Sequence, residues 1–439
     1  MGLFATTKQC FKRKTMNRKV LYLALIFGMI RAILLFYHNP NLIMNIDEES
    51  NFEVATNHFN GKGYTYYDPD LNTHKPTAFH SSFTIFVYEN VLLKNHIHKR
   101  KWVAFCNVLS ALLLAVSIVY FYQLSLFFLN QKEAYYSTIL YCIFPSVVYY
   151  IGTLFWYEQL VLSVLIIIIY LCIKFIKNNL STFEHLGLIS GIILCSLFRL
   201  QTLAIFAPLL ICLLLFFTYK ASYKKAIYIS VIFVLGFIAH VPSLIKNKNI
   251  YGAYILSTQP GYEILQGHNP YAKGSWMGDW LISSSDLYKY SYEKIEKLDQ
   301  LNQYEEGLAR KKVAIDWIKS HPFDEVKLIF RKLALYFLPR NFEFLPLNQF
   351  PNPINFAVYM GFLLFMGLSI KNKFKMWDFE KIILVIPFIG SIALTLVFFM
   401  GARWRYYAEP FMIIFAMLAF TEIVSKYNFF KNKFERFQK

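Results

Sequence analysis

Charged side chains are scarce, at 16% of the chain, and acids are scarcer than bases: 27 Asp and Glu against 45 Lys and Arg. So small a charged fraction excludes an ordinary water-facing surface. A strand–turn–helix glycine motif is lacking too, since Gly61-Lys62-Gly63 has nothing else of a phosphate loop around it. None of the six cysteines (Cys10, Cys106, Cys142, Cys172, Cys195, Cys212) falls in the two long polar stretches, so no disulfide framework is implied. Five of them lie in apolar runs and read as small buried hydrophobes. The ten histidines have no tight ligand spacing, which gives a divalent metal no support; no cofactor is expected. The net charge of +18 is not gathered into a compact basic domain, so nucleic acid is not an expected partner.

What the chain has in quantity is apolar surface. It is 56% hydrophobic and 19% aromatic, with a mean hydropathy of +0.38. Crossing the hydrocarbon core as a helix takes about 20 apolar residues. Inside lipid each backbone amide must be paired within its own segment, so the long apolar runs read as helices. Ten spans are expected, near 20–37, 104–127, 134–151, 154–176, 185–199, 201–218, 226–245, 354–370, 381–400 and 406–424. The fifth and sixth meet at Arg199-Leu200-Gln201, as either a tight hairpin or one broken helix. Basic clusters at 8–19, 174–177, 220–225, 371–381 and 426–439 all fall on one side of this arrangement, which marks it as cytoplasmic. Lys99, Arg100 and Lys101 fall on the other side, at the end of a long loop where that rule weakens.

The chain therefore divides into three parts. Residues 1–245 form an N-terminal transmembrane region of about seven helices with an extracytoplasmic loop at 38–103. Residues 246–353 form an extracytoplasmic loop domain whose last part, Glu325 to Leu338, reads as an interfacial helix. Residues 354–439 form a C-terminal region of about three helices with a basic cytoplasmic tail. The expected class is an all-α multi-pass protein of the cell membrane, with both termini cytoplasmic. Short cytoplasmic loops leave no room for a nucleotide-binding domain, so an activated substrate must come from the membrane or the outer compartment.

Candidate chemistry gathers at that outer side. Asp47, Glu48 and Glu49 directly follow the first span; carboxylates there suit a helix start, and equally a general base at the bilayer surface. The turn Asn60-Gly61-Lys62-Gly63-Tyr64 ends that helix. Lys75, held before Pro76, is a fixed cation suited to phosphate, and His74 and His80 flank it. Arg31 sits within the first span, Glu158 opens the fourth, Arg199 lies at the junction of the fifth and sixth, and Arg403 and Arg405 lie at the mouth of the tenth. An arginine in a span must snorkel or pair, and several converging on one end suit a lipid phosphate held by guanidinium forks.

These residues resemble the GT-C-fold glycosyltransferases that use lipid-phosphate sugars, most closely the protein mannosyltransferase and aminoarabinose transferase group of family 39. Asp47-Glu48-Glu49 with Ala55 and Gly61-Lys62-Gly63-Tyr64 is similar to that group's first loop. His74-Lys75-Pro76 is similar to its Lys-Pro-Pro element, with Thr77 in place of the second proline. Glu158 and Arg199 fit its outer Glu and Arg. The run His240 to Asn247, then Gly252, Gly261 and Gly267-His268-Asn269-Pro270, resembles a long loop ending in Gly-Asn-Asn-Pro, from which His268 departs. Ala314, Ile318, His321-Pro322 and Lys332 resemble the helix before the late spans, and Arg403 to Pro410 the Arg-x-Arg-Tyr element. The resemblance implies the GT-C fold, a polyprenyl-phosphate-linked sugar as donor and membrane lipid as surroundings.

The expected mechanism is a single displacement with inversion. Asp47, or Glu48 beside it, takes the proton of an extracytoplasmic acceptor hydroxyl. Lys75, Arg199, Arg403, Arg405 and Arg31 hold the departing phosphate, with Glu158, His80, Asn247 and Asn269 as further site candidates. Two other functions are compatible with a large outer loop: an O-antigen-type polymerase or ligase, and a lipid or glycan flippase. The polymerase class lacks an acidic first loop of this kind. A transporter is expected to show internal repeats and mid-membrane polar groups, and no repeat is found here.

Overall fold

The computed structural model describes residues 17–437 apart from 69–72, 80, 145, 148–155, 277–283, 338–352 and 373–375, and describes a few residues, Arg403 among them, by backbone alone. The first long helix, α1 (Arg18–His38), buries Val20, Ala24, Gly28, Arg31 and Leu35, a single stripe at helical spacing. Its other faces expose Leu21, Leu25, Ile26, Met29, Ile30 and Ile33. Apolar residues facing outward all along a helix are what lipid, not water, stabilises. The buried stripe lies on a long helix, α4 (Lys99–Ser125). At Gly28 an added Cβ would sit 3.3 Å from both the Ala111 carbonyl and the Ala115 methyl, the close approach small residues allow between membrane helices.

Between α1 and α4 lies the first loop. Helix α2 (Ile46–Phe59) carries the acidic cluster and ends in a turn where Gly61 (φ 76°) and Gly63 (φ 75°) take the left-handed region that other residues avoid. An antiparallel hairpin follows, β1 (Thr65–Asp68) with β2 (Thr73–Pro76), Tyr66 opposite Lys75. Then comes a short helix, α3 (Ser82–Val87), continued as a π-helical turn over Tyr88–Leu93.

The bundle continues with α5 (Gln131–Cys142), α6 (Trp156–Ile176), α7 (Thr182–Phe198), α8 (Leu203–Tyr219) and α9 (Tyr223–Tyr251). Arg199 is extended and a 3-10 turn over Leu200–Thr202 follows, so the fifth and sixth expected spans are two helices. Helix α9 runs on past 245 and stops where Gly252 adopts φ 74°. The loop domain after it holds α10 (Gln259–Gly267), α11 (Asp286–Lys294), α12 (Gln303–Ser320) and α13 (Pro322–Phe337), with a small core of Leu265, Leu287 and Ala314. Last come α14 (Pro353–Lys371), α15 (Phe379–Val397), the one-turn α16 (Ala402–Tyr406) and α17 (Glu409–Phe437).

Among the described residues, six helices are long and apolar enough to cross a membrane: Arg18–His38, Lys99–Ser125, Glu158–Ile176, Leu200–Tyr219, Tyr223–Tyr251 and Phe379–Val397. Each of the other four expected spans has a shorter or more polar helix at its place, and the expected span at 134–151 runs partly outside the described residues.

Candidate functional site

Asn45 sets the start of α2. Its side chain accepts from the Glu48 amide at 3.0 Å, and the Glu48 carboxylate accepts from the Asn45 amide at 3.2 Å, a reciprocal capping box. The two candidate bases therefore have different surroundings. Glu48 is turned inward, buried, and near enough to Cys106 on α4 to act on it electrostatically. Burial pushes its carboxyl up to about 7; Asp47 and Glu49 add to the rise, and the Asn45 amide opposes it. Asp47 is half-buried in the same first turn, and its carbonyl accepts from Asn51 at 2.6 Å. Glu49 pairs with Lys99 at 2.7 Å, which joins α2 to the start of α4 and gives the basic cluster on that side a structural partner.

The hairpin carrying Lys75 leans on the other half of α2. The Tyr67 amide donates to Glu53 at 2.7 Å, and Asn57 donates to the Thr65 carbonyl at 2.9 Å. Lys75 is half-buried on β2.

Beneath this layer the helices share a buried polar network centred on α16 and the residues after it. Arg405 donates to Glu409 at 2.9 Å, both 1% exposed, and Glu409 also accepts from Tyr359 at 2.8 Å and from Ser146. Tyr406 donates to Gln159 at 2.7 Å. Tyr407 and Arg199 both donate to Glu158. Arg31 donates to Ser110 through Nε at 3.1 Å and Nη2 at 2.8 Å, and its Nη1 is buried without a hydrogen-bond partner. The structure thus brings Arg31, Glu158, Arg199 and Arg405 into one layer. Each of these arginines already has a hydroxyl or carboxylate inside the protein, as an arginine in low dielectric requires.

Asn247 and Asn269 have local roles. Asn247 donates to the Ile255 and Leu256 carbonyls and holds the chain after α9. Asn269 donates to the Leu265 carbonyl and accepts from the Tyr271 amide, closing the turn after α10. His80 and the Arg403 side chain lie outside the described residues. Among those described, no group of three or more His, Cys, Asp or Glu side chains could hold a metal ion.

Sequence reasoning took in Tyr406, Tyr407 and Glu409 only as part of the run Arg403 to Pro410, gave them no role, and passed over Gln159 and Tyr359. The Arg405–Glu409 spacing of one helical turn was the available signal. It also placed Lys332 among the surface charges of an interfacial helix. Helix α13 instead buries Glu325, Leu328, Lys332 and Tyr336 on one face, and exposes Phe323, Val326 and Phe330 on another. Burial pushes Lys332 down to about 8, with Glu325 opposing.

The fold of the helix bundle with its loop domain is similar to that of solved structures. Its counterparts among solved structures include the oligosaccharyltransferase of Archaeoglobus fulgidus in the apo form, 14% identical with a TM-score of 0.50 over 94% of this chain and 52% of that one. The same enzyme tethered to an acceptor peptide containing the NVT sequon matches with equal identity and TM-score over 94% of this chain and 50% of that one. This chain thus spans about half the length of those enzymes, and the likeness is one of fold. No family model matches the chain, and no curated protein matches its sequence.

Proposed function

We propose that this chain is a multi-pass glycosyltransferase of the cell membrane, moving a sugar from a polyprenyl-phosphate donor to the hydroxyl of an extracytoplasmic acceptor with inversion. The observation that carries the reading is a half-buried carboxylate, Asp47, on a capped helix start whose next residue, Glu48, lies near Cys106 of α4, one turn from Ser110, the partner of Arg31. The fold shared with an oligosaccharyltransferase supports it.

In this reading Asp47 takes the acceptor proton late in the attack on the anomeric carbon, and Glu48, held in its capping box, shapes the site beside it. Lys75, Arg199 and Arg403 meet the phosphate as it departs, while the enclosed Arg405 and Arg31 act on it through the field of the layer. The donor's lipid tail lies against the apolar outer faces of the helices. Both ends of the chain lie in the cytoplasm, and 38–103 and 246–353 lie outside.

The test is mass spectrometry of cell-envelope glycans and lipids with and without the protein. The reading expects one acceptor to lose one sugar residue while its carrier-linked precursor persists. An unchanged acceptor set overturns it, and shortened polymers or donors trapped on the inner leaflet point to the polymerase or flippase classes.

A further inference from the structure

The end of α10 and the buried face of α13 converge on the chain just before α16. Lys332 is 0% exposed, His268 5% and Glu325 6%. The Lys332 ammonium lies 2.6 Å from the Phe398 carbonyl, 3.2 Å from the Leu396 carbonyl and 3.0 Å from His268 Nε2. His268 Nε2 is also 3.0 Å from the Val397 carbonyl. On its other side His268 Nδ1 is 2.9 Å from Glu325, a close charge contact whose angle is bent away from that of a hydrogen bond.

The carbonyls of 396–398 are the last of α15. They have no partners within the helix and sit at its negative end, so a cation is the group that satisfies them best. Here that cation comes from another element, α13. Two further contacts grip the same stretch. The Met400 amide donates to the Gly274 carbonyl at 2.8 Å, with Ser275 bridging to Met400 in parallel. Gly267 lies so close that an added Cβ would be 1.6 Å from the Phe398 oxygen.

Three residues beyond Met400 begins Arg403-Trp404-Arg405-Tyr406-Tyr407, the hub of the buried polar layer. A ridge of the loop domain therefore fixes where that hub enters the bundle. We infer that Lys332, with His268 and Glu325, is a positioning cluster that sets the arginine-bearing element for donor binding. The kinetic part of this inference rests on the transferase reading; the positional part does not.

The test uses the full chain in micelles. Replacing Lys332 by Met, close to it in size, removes the charge and leaves the Leu396 and Phe398 carbonyls without it, so the variant is compared in protein that accumulates. Amide hydrogen exchange over 399–407 is expected to be about tenfold faster in this variant, with the core of Lys99–Ser125 unchanged. The donor KM is expected to rise about tenfold, with the acceptor KM unchanged, because a misplaced clamp weakens one substrate only. His268→Ala should behave likewise, and His268→Gln, which keeps an acceptor for Lys332, should recover part of both effects. Wild-type exchange over 399–407 in Lys332→Met overturns the inference, as does faster exchange with an unchanged donor KM. If Lys332→Met does not accumulate, His268→Ala carries the same comparison. Faster exchange in a protein whose wild type transfers nothing contradicts the transferase reading and leaves the positional part standing.

Discussion

Asp47 and Glu48 are adjacent in the chain and chemically unlike. Glu48 is buried, so its carboxyl, ordinarily near 4.5, titrates at about 7 in the folded protein. The sign follows from linkage: a carboxyl whose folded pKa is raised contributes stability in full below about 4.5, and loses it as pH rises through about 7. Glu48→Gln is neutral at every pH and escapes that loss. Its stability is therefore expected to gain on the wild type between pH 5 and pH 8, by about 2 kcal/mol, read as a rise in its thermal midpoint relative to the wild type. A gap that is constant over this range would show that Glu48 carries its charge without cost. The three carboxylates directly after the first span made this helix start legible in the sequence. The inward turn of Glu48 was not legible, because it depends on Cys106 of α4, 58 positions along the chain, lying near it.

At the scale of elements, α13 shows where a pattern misleads. Its apolar residues and three cations read as a helix lying on the membrane surface, and Phe323, Val326 and Phe330 do face outward. Lys332 does not, because its carbonyl partners come from α15, 64 and 66 positions along the chain. No local pattern reports a partner so remote. The same contact gives a glycine prediction that sequence could not: Gly267→Ala would drive a methyl into the Phe398 carbonyl, while at Gly236 nothing lies within 4 Å of the added carbon. Gly267→Ala is expected to lower the yield of folded protein severely. Gly236→Ala, mid-helix, should be neutral or stabilise by roughly 0.5–1 kcal/mol. Both are read by size-exclusion profiles and thermal melts in detergent, and equal behaviour of the two would contradict the close packing at Phe398.

For the whole molecule, the apolar runs were the strongest signal, because period, length and composition agree in α1, α4, α6, α8, α9 and α15. The presence of arginines in or beside the apolar runs was also legible, since charges there stand out. The pairing of Glu158 with Arg199 and Tyr407 was not, because it joins segments 41 and 249 positions apart. The outcome is a bundle in which Arg31, Arg199 and Arg405 each find a hydroxyl or carboxylate inside the protein, while Asp47 is half-buried in the first turn of α2. That division of labour is the central claim, and transfer from a purified polyprenyl-phosphate sugar by the reconstituted protein tests it most directly. With protein levels matched, Asp47→Asn is expected to insert normally and to lose transfer by about a hundredfold or more, the usual scale for a general base, with Glu48→Gln losing less. Near-normal turnover in Asp47→Asn would contradict the account.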